Sequence, residues 1–521
     1  MNPSRIFVIV ALCAAAAAMI GTNSYFTFFD DEITIIQEAS RAPKDIVLPF
    51  ALGYGQQRHP PLYDLVLSVW VNSTGGRQWA LRVPGIAFYL LGVWLISLTA
   101  RRLAGERAQH WAVLLGVLWP YGFQFGRIAG WYSFAFLTVA LVTHAYVLLR
   151  ERFSWSRWAF CVFAALALLY TNYLGWVFIG LLALEYWWSH RAQSWRQVAA
   201  AGGTLIAIFV LFLPLLTSFF TLLMKDQSAG YLQSQFSLRS TVLFSGFNLY
   251  STYVSESVAP WFWALSVPAL LAIGVSVAAT GLRAPVAART FLAGFLLIFV
   301  AMSATGLINT KRLLLVAPWL LLALAIAVSA PGAWQRAHVV ALACVAAVGW
   351  FGIVARDYYA APRLVEPWAG VGANAASAVQ SGAVVVSNSP SFFFYLTYDL
   401  DRLAGQRDPV FRGVYPERRT HAQVFAPDQW LRGGRTLAPR LLLVKGVSDP
   451  QYWQPSAETE RYLDSACALR SVDRQMPDAG AALKERFFPG KGQLGYRIEV
   501  REYACQGVAQ KQNVAEHRET P

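Results

Sequence analysis

Charge is what this chain has least of. Asp, Glu, Lys and Arg make up 14% of its 521 residues against 56% hydrophobic and 14% aromatic side chains, a balance that excludes a soluble multi-domain enzyme. Cysteine is scarce too, five in all, and no CxxC or Cys/His spacing suits a zinc site. The C-terminal third has no Gly-rich phosphate loop and no nucleophile elbow. There is no internal repeat of the kind that builds many transporters. The net charge of +14 does not point to nucleic acid. Before Arg356 stand 22 basic and 11 acidic residues, and the basic ones gather in short connections between apolar runs, as the positive-inside rule predicts.

Those apolar runs are what the sequence has in abundance. A bilayer core about 30 Å thick needs about 20 mostly apolar residues per helix. Runs at 6–28, 84–100, 111–126, 129–149, 158–171, 173–188, 198–220, 258–280, 290–308, 312–330 and 337–355 predict a polytopic α-helical membrane protein with about 11 transmembrane helices. The first run also resembles a secretory signal, but it continues to Phe29 and is long enough to span, which favours a retained anchor. With the N-terminus cytoplasmic, the Arg-bearing connections RRLAGERAQH, RERFSWSR, HRAQSWRQ, GLRAPVAAR and PGAWQRAH lie inside. External loops at 29–83 and 221–258 and everything after 355 then lie outside. The loop at 221–258 is long enough to act as a lid or to be a plain surface segment.

After Arg356 the composition turns water-soluble. GAVVVSN, RLLLVKG and YRIEVREYAC read as strands and EPWAGVGANAASAVQ as a helix, so 356–505 is expected to be an extracytoplasmic α/β domain and 506–521 a disordered tail. Cys467 and Cys505 both fall in it. An oxidising periplasm permits them to pair, and two free thiols in a small core remain the alternative.

Chemistry-bearing residues gather on the outer side. FFDDEITII sets Asp30, Asp31 and Glu32 at the lip of the first span. GQQRHPPLYDLVL then supplies Arg58 and His59 before a Pro60-Pro61 break, which cannot continue a helix, and an apolar stretch too short to span that suits an interfacial helix. Arg82 opens the second span, Arg127 follows the third, and Lys311 and Arg312 precede a late one.

In these residues the chain resembles the GT-C membrane glycosyltransferases of the family 39 type, relatives of protein O-mannosyltransferases and of the aminoarabinose transferase that modifies lipid A. The resemblance rests on Asp31-Glu32, HPPLYDLVL, WALRVPG, YTNYLGW and KRLLLVAPWLLLALA, in that order over about residues 25 to 330. It implies a sugar donor carried on polyprenyl phosphate and an acceptor lipid, glycan or protein on the extracytoplasmic face of the inner membrane. It further implies an inverting hexosyl or pentosyl transfer with Asp31 as base. Glu32, with Asp30 beside it, would orient the acceptor, and Asp31 and Glu32 are the oxygen ligands a divalent Mg²⁺ or Mn²⁺ would take. Arg58, His59, Arg82, Arg127, Lys311 and Arg312 would meet the lipid phosphate as it leaves.

Two departures stand out. FGRIAGWYSF keeps Arg127 but has Ile128 and Gly130 where many members carry an acid and a second Arg, so no second carboxylate comes from that turn. Asn172 stands where His is common. A lipid or glycan transporter or flippase, and a non-catalytic cell-envelope assembly subunit, are the competing classes. Transporters place ionisable groups near the midplane, whereas His144 and Glu185 fall near predicted cytoplasmic ends. The intact Asp31-Glu32 pair argues against a degenerate subunit.

Overall fold

A computed structural model describes residues 3–23, 30–52, 59–74, 78–190, 195–221, 238–305, 309–355, 359, 368–388, 396, 400, 423–432, 438–446, 456–475 and 498–505. The chain divides into two compact units. One comprises Met1–Ser24 and Glu38–Val354, the other Tyr25–Gln37 and Ala355–Pro521. The first unit ends at Val354. The grouping of Tyr25–Gln37 with the C-terminal unit has no signal in the sequence.

In the first unit the described residues of each expected span are largely helical. The helices are α1 (Pro3–Gly21), α6 (Val83–Ala104), α7 (Glu106–Leu118) with α8 (Pro120–Phe125), α9 (Trp131–Glu151), α10 (Trp155–Leu169), α11 (Gly175–His190) and α12 (Trp195–Phe212). Between α1 and α6 lie α2 (Asp30–Ala39), α3 (Pro43–Ala51), α4 (Leu62–Thr74) and the short α5 (Gln78–Leu81). After α12 come α13 (Leu238–Val254), α14 (Trp263–Ala278), α15 (Val286–Ala304), α16 (Ala317–Ser329) and α17 (Gln335–Val354). Among the described residues, seven helices are long and apolar enough to cross a membrane, and α10 and α16 are shorter apolar helices. The expected span at 111–126 is broken between α7 and α8. Trp119 takes an extended conformation there, because Pro120 disfavours the helical region for the residue before it. Helix α16 is apolar all round and every one of its residues is buried, as such a helix must be. α4 is the short helix that the Pro-Pro break and the apolar stretch after it predict.

The segment expected as an external loop at 221–258 carries a helix in its second half. Leu238–Val254 is helical and packs on α8, α14, α15 and α17. Its pattern hides it from hydropathy, because the buried positions include Asn248, Ser251 and Thr252. Small residues of α17 allow the chain that follows to approach. A Cβ on Gly352 would stand 2.5 Å from the Ser257 carbonyl oxygen, and one on Gly349 2.7 Å from that of Val254.

The C-terminal unit holds a five-stranded sheet in the order β2-β1-β3-β5-β4. The strands are β1 (Val384–Ser387), β2 (Val424–Phe425), β3 (Arg440–Gly446), β4 (Ala468–Gln475) and β5 (Ile498–Ala504). β2, β1 and β3 run parallel; β5 is antiparallel to β3 and β4. The helices are α18 (Trp368–Gln380), α19 (Pro427–Arg432) and α20 (Ala457–Ala466). Val384, Val386, Leu441, Leu443, Trp430 and Tyr503 build the core. The three expected strands and the expected helix are present. β4 went unread because its side chains are almost all exposed and show no alternation. Cys467 and Cys505 are joined in a disulfide. They flank the paired residues Ala468 and Ala504 that tie β4 to β5. The expected disordered tail at 506–521 lies outside the described residues.

Replacing Cys467 with Ser should cost the β4–β5 ribbon about 2–5 kcal/mol of local stability. Amide hydrogen exchange of Ala468–Gln475 and Ile498–Ala504 in the full chain reads this directly, and unchanged protection would contradict it.

Candidate functional site

The last turn of a helix leaves carbonyls without intrahelical donors, and here two buried arginines supply some of them. Arg127 Nη1 donates to the Thr22 carbonyl oxygen at 2.8 Å and to Thr22 Oγ1 at 2.9 Å. Arg82 Nη1 donates to the Asn23 carbonyl oxygen at 2.9 Å. Asn23 Nδ2 in turn donates to the Trp79 carbonyl oxygen at 2.9 Å. Both guanidinium groups are almost fully buried, Arg127 at 1% and Arg82 at 3% exposure, a state that requires hydrogen-bonded partners. Arg127 also lies 4.2 Å above the Phe123 ring. It sits on the turn between α8 and α9, against which α6 packs so closely that a Cβ on Gly85 would meet the Ile128 carbonyl oxygen at 2.7 Å.

The HPP segment packs on the start of α9. The His59 ring lies 4.3 Å from that of Trp131, and the Tyr63 ring 5.9 Å from that of Phe134. Leu62 N donates to the Tyr170 carbonyl oxygen at 3.1 Å, which pins the head of α4 to the end of α10. Asn172 Oδ1 accepts from Leu174 N at 2.9 Å, so this residue shapes the turn before α11.

Asp64, on the first turn of α4, is a carboxylate that the sequence reading passed over as part of an amphipathic stretch. Its available signal was a lone acid among apolar residues. Burial, joined by the nearby Glu38 carboxylate and opposed by Arg41, pushes its pKa up to about 7. Arg41 is held by Glu38 at 2.9 Å, and Ser68 Oγ, one helical turn beyond Asp64, donates to the Arg41 carbonyl oxygen at 3.4 Å. A carboxyl titrating near neutrality suits proton exchange at working pH.

Lys311 and Arg312 occupy a tight turn ahead of α16, both half-buried. Asn309 Oδ1 accepts from Lys311 N at 3.1 Å, Thr310 Oγ1 donates to Asn248 Oδ1 at 2.9 Å, and Tyr121 OH donates to the Thr310 carbonyl oxygen at 2.7 Å. The turn is thus bound to α8 and α13. At the end of α13, Ser255 takes a left-handed conformation with φ 69°, which a residue other than glycine adopts only under constraint. Its hydroxyl donates to Gln124 Oε1, and the adjoining Glu256 is buried. A second carboxylate missed by sequence reading therefore follows a residue bonded to α8, three residues short of Arg127.

The acids of the opening motif begin α2, where negative side chains favour the helix N-terminus. Glu32 is buried. The side chains of Asp30 and Asp31, and Arg58 entirely, lie outside the described residues. Among the described residues no three His, Cys, Asp or Glu side chains gather as a metal site. His144 and Glu185 have structural roles. His144 Nδ1 lies 2.9 Å from Thr99 Oγ1, while Glu185 binds Arg150 at 3.1 Å and accepts from the Tyr146 and Ser189 hydroxyls.

Residues 58–217 match the profile of the family described as dolichyl-phosphate-mannose-protein mannosyltransferase. The structure is similar to that of ArnT from Cupriavidus metallidurans bound to undecaprenyl phosphate, with TM-score 0.50 and 14% identity over 95% of this chain and 97% of that one. An Archaeoglobus fulgidus oligosaccharyltransferase gives TM-score 0.47 and 12% identity over 76% of this chain and 61% of that one. Arabinofuranosyltransferase AftD from Mycobacteria gives 0.43 and 16% over 96% and 40%. No curated protein sequence matches. The profile match covers less than half of the chain, and the likeness to ArnT is one of fold: a polytopic helical membrane protein with a C-terminal α/β domain, as the resemblance implies.

Between the ordinary Asp value of 3.8 and about 7, the folded chain holds a proton on Asp64 that the unfolded chain has lost. Stability therefore falls as pH rises through that window. Asp64→Asn should leave the thermal midpoint of the detergent-solubilised protein unchanged at about pH 4 and raise it at about pH 8. An equal midpoint at both values would contradict the assignment.

Proposed function

We propose that this protein transfers a sugar from a polyprenyl-phosphate donor to an acceptor hydroxyl on the extracytoplasmic face of the inner membrane, with inversion at the anomeric carbon. The observation that carries this reading is the match of residues 58–217 to a lipid-phosphate-sugar transferase family. Its fold likeness to ArnT runs along nearly the whole chain, and the relative was solved with undecaprenyl phosphate, the class of carrier proposed here. The N-terminus is placed in the cytoplasm and the C-terminal domain in the periplasm, because the Arg-rich connections then lie inside.

In this reaction the acceptor oxygen bonds to the anomeric carbon as the bond from that carbon to the phosphate oxygen breaks. Asp31 takes the acceptor proton, and the electron pair of the broken bond leaves on the lipid phosphate. Glu32 and Asp30 orient the acceptor. Arg58, His59, Lys311 and Arg312 meet the growing negative charge, which fixed cations stabilise most in a water-poor site. Arg82 and Arg127 each donate to the end of α1, ahead of the acids in sequence, and are assigned here as positioning residues. No step is routed through a metal ion. Transfer is favoured over transport because His144, Glu185 and His338, described ionisable residues of the spanning helices, are each bonded to a neighbouring side chain.

Purified protein in liposomes, given a panel of polyprenyl-phosphate sugars and a membrane extract as acceptor, should transfer at least one sugar. Asp31→Asn should reduce that rate about 100-fold or more, the usual scale for losing a positioned base. Equal rates for the two proteins would remove Asp31 as the base, and no transfer by either would remove the reaction.

A further inference from the structure

The C-terminal sheet has a feature that neither the motifs nor the transfer chemistry uses. Its parallel part runs β2-β1-β3, so the chain leaves β1 to one side and returns to the other, which makes β1 and β3 a topological switch point. In open α/β sheets ligands bind at the carboxyl ends of the strands flanking such a point. Here those ends carry Asn388 after β1, and Lys445 and Gly446 closing β3.

Asn388 is fully buried. Its backbone is fixed on both sides, N–H to the Val444 carbonyl oxygen at 2.8 Å and carbonyl oxygen to Ser456 N at 3.1 Å. Its amide Nδ2 donates to Glu460 Oε1 at 2.5 Å. That leaves Oδ1, a buried acceptor with no hydrogen-bond donor. Buried polar atoms are normally satisfied, so an orphan acceptor at a switch point is an opening for a ligand.

Charge around it selects the ligand's class. Glu460 is held by Lys445 and, at 3.5 Å, by Arg501. Arg501 and Arg474 both bind Glu499, at 3.0 and 3.1 Å. Each ion therefore has its counter-ion already, and a charged ligand gains little by displacing one. The chain after β1 also lacks the Gly-rich turn that cradles phosphate. Among the described residues, what remains unfilled is an acceptor at Asn388 Oδ1 beside the spare donor capacity of the Lys445 ammonium, which has three N–H groups. A neutral ligand whose groups both donate and accept answers both.

We propose that the carboxyl ends of β1 and β3, around Asn388, Lys445 and Glu460, form a saccharide-binding site, one sugar hydroxyl donating to Asn388 Oδ1 and another accepting from Lys445. Under the proposed function the bound glycan is part of the acceptor, but the site is defined by binding alone and its test reads no transfer.

The test is saturation-transfer NMR and titration of the full chain in nanodiscs with three neutral probes, mannotriose, maltotriose and chitotriose. Inorganic phosphate and a neutral tetrapeptide serve as rivals. Wild type should bind at least one trisaccharide. Lys445→Met and Asn388→Ala should each weaken it tenfold or more, while Arg440→Gln, at the other end of β3, should not. Lys445→Met decides the matter if Asn388→Ala does not fold. No trisaccharide binding by wild type, equal binding by Lys445→Met, or saturation by phosphate or the peptide instead would overturn the site. Any of these results leaves sugar transfer by the membrane unit to stand or fall on its own assay.

Discussion

Two guanidinium groups buried on the terminal carbonyls of α1 are the constraint from which the membrane unit is best understood. A charge this deep persists only when hydrogen-bonded, and Arg82 and Arg127 find partners in Thr22 and Asn23. Each arginine heads a different spanning helix, α6 and α9, so three helices meet at one point. The same place is closed by the packing of Gly85 on the Ile128 carbonyl and of His59 on Trp131. Only a few residues separate Asn23 from Asp30 and Asp31. Fixing the end of α1 therefore fixes where the chain sets out toward the acids on which transfer is proposed to depend.

The helical part of the fold was legible because hydropathy reports it directly. The described residues of the expected spans are largely helical, with 111–126 broken at Trp119, since long apolar runs have no other stable state in lipid. What hydropathy could not show is helix α13. Its Asn248, Ser251 and Thr252 are buried, Thr252 Oγ1 donates to the Asn248 carbonyl oxygen and Thr310 Oγ1 to Asn248 Oδ1, so a polar pattern that reads as a loop is a packed helix. The exposed strand β4 escaped for the opposite reason, having no buried face to impose alternation.

The candidate site was legible as a set of residue types and only partly as an arrangement. Arg82 and Arg127 read from sequence as phosphate ligands, and nothing in a sequence shows that each also donates to the end of a helix. The carboxylate missing after Arg127 looked like a loss, yet the fold offers two others in the same unit. One is Asp64, poised near neutrality by burial and Glu38; the other is the buried Glu256 behind a left-handed Ser255. Glu256 belongs to no motif, and Asp64 stands in HPPLYDLVL without anything there to mark its burial. Both acquire their character from tertiary neighbours far away in sequence, as the disulfide between Cys467 and Cys505 does.

If Arg127 works by holding the end of α1, its contribution lies in placement rather than in donor binding, and steady-state kinetics separate the two. Sugar transfer by Arg127→Lys, measured against donor concentration in liposomes, is the most direct test. The account predicts that kcat falls by about tenfold or more while the donor KM stays at the wild-type value, because an ammonium cannot reproduce the paired contacts to Thr22. A raised donor KM with unchanged kcat would mean that Arg127 grips the lipid phosphate itself, and would contradict the account.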